Sequence, residues 1–305
     1  MLSVRSTLVI LFVLSIPTLA RSEGFLYSAG TFTTVNAGAG TQPLGINDSG
    51  QIVGFFQNST VQGFLDTDGS FSTLDFPLAG VTGTFAYDIN NSGQIVGFYR
   101  TTPNLHGFLY FDGTFSTIDV PFAGVFTTTA AGINNIGQIV GSYVDGTGIH
   151  GYLNDGGTFT PIDVPFAGVT STNANGINDH GQIVGNFLDA SGTHAFLYSA
   201  GVYTALNVPF IGTTLTVAYG INDSGQIIGT YTGSMGTHGF LYSGGTVTTI
   251  DVPFVGATFT TANGINNSGE IVGVHDNGNP VVPEPSSWLL FASGLALLIH
   301  GKIKA

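Results

Sequence analysis

One phrase written six times limits what this chain can fold into. Gly45-Ile46-Asn47-Asp48-Ser49-Gly50-Gln51-Ile52-Val53-Gly54 returns with small changes around Ile89, Ile133, Ile177, Ile221 and Ile265, a spacing of 43 residues once and 44 four times. A second phrase, Gly107-Phe108-Leu109-Tyr110 followed by Asp112-Gly113-Thr114-Phe115 and Ile118-Asp119-Val120-Pro121, has counterparts starting at Gly24, Gly63, Gly151, Ala195 and Gly239. Such a period marks a chain assembled from copies of one unit rather than around one irregular core.

Glycine is the commonest residue at 46, charged residues are only 8%, and Thr, Val, Ile, Phe and Tyr recur in short runs, as many short strands with tight turns require. Four strands of about five residues, three turns and one link use roughly 40 to 45 residues, the length of a β-propeller blade. In the third unit the strands are expected at 131–133, 138–143, 150–153 and 158–164, with the longer link of 121–130 between blades. Asn134-Asn135-Ile136-Gly137 and Asn154-Asp155-Gly156-Gly157 place Asn, Asp and Gly where hairpins need positive φ. Residues 24–35 supply only strands three and four, and 264–274 only strands one and two, so the two ends together complete a sixth blade and remove exposed edges. The expected fold is all-β: a six-bladed β-propeller of four-stranded repeats over 23–281, flanked by terminal signal and anchor helices. An open β-solenoid would share the fixed period, but with shorter coils and polar capping units.

The first 22 residues have the order of an export signal: Arg5 in a short n-region, an apolar run over 8–16, then Thr18-Leu19-Ala20 before a cleavage site. At the other end, Pro283-Glu284-Pro285 is followed by an apolar stretch over 286–299 and by Lys302 and Lys304. Between the two, Arg100 is the one Lys or Arg, whereas every acidic residue of the chain except Glu284 lies there. That surface repels phosphate, which argues against nucleic acid as a partner. The chain has no cysteine, which removes disulfides and thiolate metal sites.

Two resemblances follow from these residues. His194-Ala195-Phe196, followed by Leu197 and Tyr198, resembles the name-giving triplet of the extracellular HAF-repeat family, and the likeness covers nearly all of 23–281. The triplet becomes His106-Gly107-Phe108, His150-Gly151-Tyr152 and His238-Gly239-Phe240 elsewhere, and Gln62 replaces the histidine once. The resemblance implies an exported repeat protein without implying a reaction. Residues 282–305 resemble a PEP-CTERM sorting signal, with Pro283, Glu284 and Pro285 as its processing motif, but with two lysines and His300 where arginines are usual. That resemblance implies an exosortase-type processing enzyme as partner, transient anchoring in the inner membrane of a Gram-negative bacterium, and a final place at the cell surface or in its matrix.

His106, His150, His194 and His238 occupy one repeat position and are the candidate ligand-contacting residues, although equivalent residues of a propeller lie too far apart to share one ion, so no metal or cofactor is expected. Asp75, Asp119, Asp163 and Asp251, with Asn207 in the remaining copy, precede the blade link and point to a structural bond rather than to acid–base chemistry, which needs an unlike pair. Asp66-Thr67-Asp68-Gly69 begins like a calcium loop but lacks the later carboxylate, and is expected to be a hairpin turn. The expected function is that of a non-catalytic surface or matrix protein binding extracellular polysaccharide. The alternative, a secreted propeller enzyme acting on glycans, calls for residues present in one unit only, and Arg100, His180, Glu270 and His275 are such residues.

Overall fold

The computed structural model describes residues 22–276, apart from 211, 254–256 and 258. The expected leader helix, the Pro283-Glu284-Pro285 motif and the anchor helix therefore lie outside the described residues. Within them every regular element is a strand, and no helix is long and apolar enough to cross a membrane.

The chain enters through β1 (Ser22–Ser28) and β2 (Thr31–Val35). The first blade is β3 (Gln42–Ile46), β4 (Ile52–Gln57), β5 (Val61–Thr67) and β6 (Ser70–Leu74). The second is β7 (Gly83–Ile89), β8 (Ile95–Arg100), β9 (Leu105–Phe111) and β10 (Thr114–Ile118), and the third is β11 (Thr127–Ile133), β12 (Ile139–Val144), β13 (Ile149–Asp155) and β14 (Thr158–Ile162). The fourth comprises β15 (Ser171–Ile177), β16 (Ile183–Asp189), β17 (Gly192–Ser199) and β18 (Val202–Leu206), and the fifth β19 (Leu215–Ile221), β20 (Ile227–Gly233), β21 (Gly236–Ser243) and β22 (Thr246–Ile250). The last two strands, β23 (Thr260–Ile265) and β24 (Ile271–Asp276), join the first two in the order β2-β1-β24-β23, so the sixth blade is built from both ends of the domain. The fold is the expected six-bladed propeller. Ser22 pairs with Asp276 and belongs to β1.

In the third blade the inner strand begins at Thr127 and not at 131, which shortens the blade link from the expected 121–130. Its start is fixed by the 1%-exposed Thr128, whose hydroxyl accepts a hydrogen bond from the Val120 N–H at 3.2 Å. Polar Thr127-Thr128-Thr129 conceals this pairing in the sequence. The outer hairpins agree with their turn chemistry: Asp68-Gly69, Asp112-Gly113 and Gly156-Gly157 all have positive φ at both residues, as a two-residue type I′ turn requires.

The glycine ending each second-strand phrase is steric in origin. A Cβ on Gly141 would lie 2.0 Å from the Thr129 carbonyl oxygen and 2.9 Å from the Tyr152 ring. Its absence lets the third-strand ring lie flat on the second strand, and Phe64, Phe108, Tyr152 and Phe196 are all 0% exposed there. The apolar clusters bridge blades rather than fill them. Val140 and Ile162 of the third blade pack with Ile177, Ile183 and Phe196 of the fourth. Blades therefore share most of their apolar clusters with their neighbours, and the split blade completes those on its two sides, through Phe25 and Ile271 against the fifth blade and Val35 and Val272 against the first.

Removing 22–35 strips β1 and β2 from β24 and takes with them Phe25, 1% exposed. The truncated domain is expected to lose at least the roughly 3–5 kcal/mol that deleting one buried Phe side chain costs, and to associate through the bared edge. Chemical denaturation with light scattering checks this; a truncated chain that unfolds as a monomer at the same midpoint would contradict closure by the split blade.

Candidate functional site: the axial channel

The inner strands end in the repeated asparagine, and the six asparagines close a ring. The Nδ2 of Asn47 donates to the carbonyl oxygen of Asn90 at 3.2 Å, Asn90 to Asn134 at 3.1 Å, and Asn134 to Asn178 at 3.0 Å. Asn178 donates to Asn222, Asn222 to Asn266 and Asn266 back to Asn47, each at 3.1 Å. The second N–H of each amide binds the side chain four residues on, from Gln51 at 2.8 Å to Glu270 at 2.8 Å, while in each turn Oδ1 accepts that residue's main-chain N–H, at 3.0 Å from Gln51. Each asparagine is 3% exposed and fully partnered.

A second ring surrounds the mouth. The N–H of Asp48 donates to Asn91 Oδ1, that of Asn91 to Asn135, of Asn135 to Asp179, of Asp179 to Asp223, of Asp223 to Asn267, and of Asn267 back to Asp48, all at 2.7–2.9 Å. Three of the six are carboxylates. Partial burial opposes ionisation of Asp48, but hydrogen bonds from Asn91 and Asn267 outweigh it and hold its pKa below the ordinary value.

One step deeper, inner strands approach so closely that glycine is required. A Cβ on Gly132 would lie 3.0 Å from the Gly176 Cα, and one on Gly264 would lie 3.0 Å from the Gly45 Cα. Gly45, Gly132, Gly176, Gly220 and Gly264 keep this rule, and Asp88 alone breaks it. Its Oδ1 accepts the N–H of Ile89 and its Oδ2 that of Ile133, each at 2.9 Å. Burial in the channel pushes the Asp88 carboxyl up to about 7 against these two bonds.

Beside this layer each inner strand carries a β-bulge, where the register skips Leu44, Tyr87, Ala131, Asn175, Tyr219 and Asn263. A bulge re-aims its residue, and all six line a cavity of about 120 Å³ together with Asp88, Asn173 and Asn186. Six-fold repetition ends here. Tyr87 and Tyr219, three blades apart, are opposite each other across the axis. Burial pushes Tyr87 up to about 12 and Tyr219 higher still, the latter also through its proximity to Tyr87. Leu44 of the lining packs with Phe55, Phe85 and Phe98 of the first two blades in an apolar cluster. Elsewhere in the lining Asn175 donates to Asn186 Oδ1 at 3.1 Å and to the Ala218 carbonyl at 2.8 Å.

The sequence-selected histidines are elsewhere, on the third strands. His106, His150 and His238 place Nδ1 at 3.0, 3.0 and 2.8 Å from Asp119, Asp163 and Asp251 of their own blades. Gln62 makes the same bond to Asp75 at 2.9 Å. His194, opposite Asn207 in the repeat, instead approaches Ser191 at 2.8 Å and Asp189 at 3.3 Å. Thr147, His150 and Asp163 have the connectivity of a nucleophile, a base and its orienting acid. Thr147 donates its single hydroxyl proton to Asp145 at 2.6 Å, however, so that proton is not directed at the His150 Nε2, 2.8 Å away. Nor do the four unit-specific residues converge. Arg100 lies over the Phe85 ring at 5.2 Å, His180 is exposed 4.0 Å from Asp223, Glu270 accepts from Ser28 at 2.8 Å across the split blade, and His275 is buried with Nδ1 donating to the Asp276 carbonyl. Asp66-Thr67-Asp68-Gly69 is a hairpin turn, as expected.

The sequence reading missed Asp88 and the bulge residues. The signal was there: one non-glycine in an otherwise uniform column, and beside it a column that varies from unit to unit. No protein-family model and no curated protein matches the chain. Solved structures similar to it are TolB from Acinetobacter baumannii (10% identity over 85% of this chain and 66% of that one, TM-score 0.56) and a fungal lectin from Aleuria aurantia described as a six-bladed β-propeller (15%, 72% and 83%, 0.47). The β-propeller domain of the Trilobed protease from Pyrococcus furiosus is a third (12%, 81% and 78%, 0.48). At these identities the likeness is one of fold. The strand topology itself defines the class of protein: a six-bladed β-propeller whose sixth blade is built from both ends of the domain.

Asn134→Ala leaves the Asn178 carbonyl and Gln138 without their partner and is expected to destabilise the fold by about 2–3 kcal/mol, measured by denaturant unfolding. Asp88 gives a pH signature. Its folded pKa is raised, so its contribution to stability is full below the ordinary carboxylate range, falls as pH rises and is lost above about 7. Asp88→Gly, which restores the glycine of the other units, is expected to raise the melting temperature at pH 8.5 more than at pH 5.

Proposed function

We propose that this chain is an exported, non-catalytic propeller held at the surface or in the matrix of a Gram-negative bacterium, where it binds extracellular polysaccharide. The observation that carries this reading is the outer strand of the blades. Thr31, Thr33 and Thr34 are exposed around the half-buried Phe32, and Thr114, Ser116 and Thr117 around Phe115. Ser70, Ser72 and Thr73 repeat the pattern around Phe71. Hydroxyls and ring edges without charge suit the hydroxyls and apolar faces of sugar rings, and repetition around the molecule gives a polymer several weak contacts at once. The purified protein is expected to co-sediment with the host's own exopolysaccharide, with retention unchanged as salt is raised because no ion pairing is involved. Loss of retention on every native polymer, or turnover of one, would overturn the reading.

Export and processing rest on the two ends. The apolar stretch at 286–299 would span only about 21 Å as a helix, short of a hydrocarbon core of roughly 30 Å. Such a segment serves to hold the chain until an exosortase-type enzyme acts at Pro283-Glu284-Pro285, with Lys302 and Lys304 on the cytoplasmic side. The mature protein is expected to lack residues beyond about Pro285. Intact-mass analysis of surface-localised molecules decides this, and recovery of the Lys302 end would show a permanent anchor.

A further inference from the structure

We propose that the axial cavity is a binding site for a small organic cation, a primary ammonium group held by Asp88 with Asn263 Oδ1 as second acceptor and Tyr87 and Tyr219 as side walls. This goes beyond polymer binding on the outer strands and does not depend on it.

Asp88 receives one main-chain N–H on each carboxylate oxygen, and each oxygen keeps a further lone pair. Among the described residues no Lys, Arg or His forms an ion pair with it. Arg100, the one Lys or Arg there, is committed to the Phe85 ring at 5.2 Å. A carboxylate in so confined a channel calls for a positive partner.

Asn263 supplies an independent observation. It lines the same cavity, is 7% exposed, and its Oδ1 has no hydrogen-bond partner within the protein. Its Nδ2 donates to the Pro43 carbonyl at 3.0 Å, so turning the amide over would set two oxygens against each other, and the free atom is an acceptor. Asp88 and Asn263 thus set two open acceptors in one cavity wall, one of them ionisable. Their complement is a donor carrying positive charge.

Size and field narrow the choice. The cavity of about 120 Å³ has room for a methylammonium-sized group with a few waters. Asp88 also lines the mouth, together with Asp48, Asp179 and Asp223, whose carboxylates add negative charge at that end of the axis. A hard metal ion would need six or more oxygen ligands, which one carboxylate and one amide do not provide. A neutral polyol would satisfy the acceptors and leave the charge.

The pH dependence identifies the anchor. Asp88 titrates at about 7, within reach of experiment. The other charged or titratable groups about it are Tyr87 and Tyr219, whose phenols burial keeps neutral, Arg100 beside Tyr87, and Asp48, Asp179, Asp223 and His180 at the mouth. The test is calorimetric titration of the full protein with methylammonium chloride, against sodium chloride at matched ionic strength. Saturable methylammonium binding is expected at pH 8, without a sodium equivalent, and about 30-fold weaker at pH 5.5, the ratio of ionised Asp88 at the two pH values for a group titrating at about 7. Asp88→Gly and Asp88→Asn should both abolish it, whereas Asp179→Asn at the mouth should weaken it only a few-fold. Absence of saturable binding at pH 8, equal binding of sodium, or retention of binding in the folded Asp88→Asn variant would overturn the proposal.

Discussion

A buried asparagine needs partners for two N–H groups and one oxygen, and here each finds them in three different places. One N–H reaches the next blade, the other holds the side chain four residues on, and the oxygen closes its own turn. The bond to the next blade is possible only if that blade stands at the correct angle and distance, and the sixth bond returns to Asn47. Blade number and closure are therefore written into one side chain repeated six times. With no cysteine, and with the ion pairs among the described residues made only between histidines and aspartates, the ring depends on this satisfied polar girdle and on apolar clusters shared between neighbours.

The girdle also determines where variation is allowed. Beneath it the inner strands come so close that five of the six blades carry glycine, and the second-strand glycines are demanded by the carbonyls and rings that lie against them. The bulge residues, turned into the channel, are released from both constraints, and they differ from blade to blade as Leu, Tyr, Ala, Asn, Tyr and Asn. Symmetry is a requirement of the scaffold, so a single-copy ligand must be read where symmetry fails. Asp88 is the sharpest failure, a charged residue in a glycine layer.

Much of the fold was legible because its determinants are local and repeated. The Asp-Gly and Gly-Gly turns register within a few residues, and the period and the half-units at each end show because the same short phrases recur. The start of β11 was not legible, because Thr127-Thr128-Thr129 resembles a polar link and Thr128 earns its burial by accepting from Val120, eight residues away. The asparagine ring was hidden for the opposite reason. Asn47-Asp48-Ser49-Gly50 is a complete turn on its own account, and nothing local shows that Nδ2 bonds across to a residue 43 positions on. Of the candidate site, the histidines drew attention through their chemistry, yet each is engaged with a carboxylate or hydroxyl of its own blade. Asp88 is separated from the histidines in function by orientation alone: the bulge beside it faces the axis, and periodicity does not reveal a bulge.

The central claim is that the six-blade ring is closed by the axial asparagines. Hydrogen exchange of the side-chain amides, followed by NMR, tests it directly. Asn47, Asn90, Asn134, Asn178, Asn222 and Asn266 should keep their Nδ2 protons until the whole domain unfolds, with protection equal to that of the inner strands. Side-chain amides that exchange freely while those strands stay protected would show that the ring does not hold the propeller together.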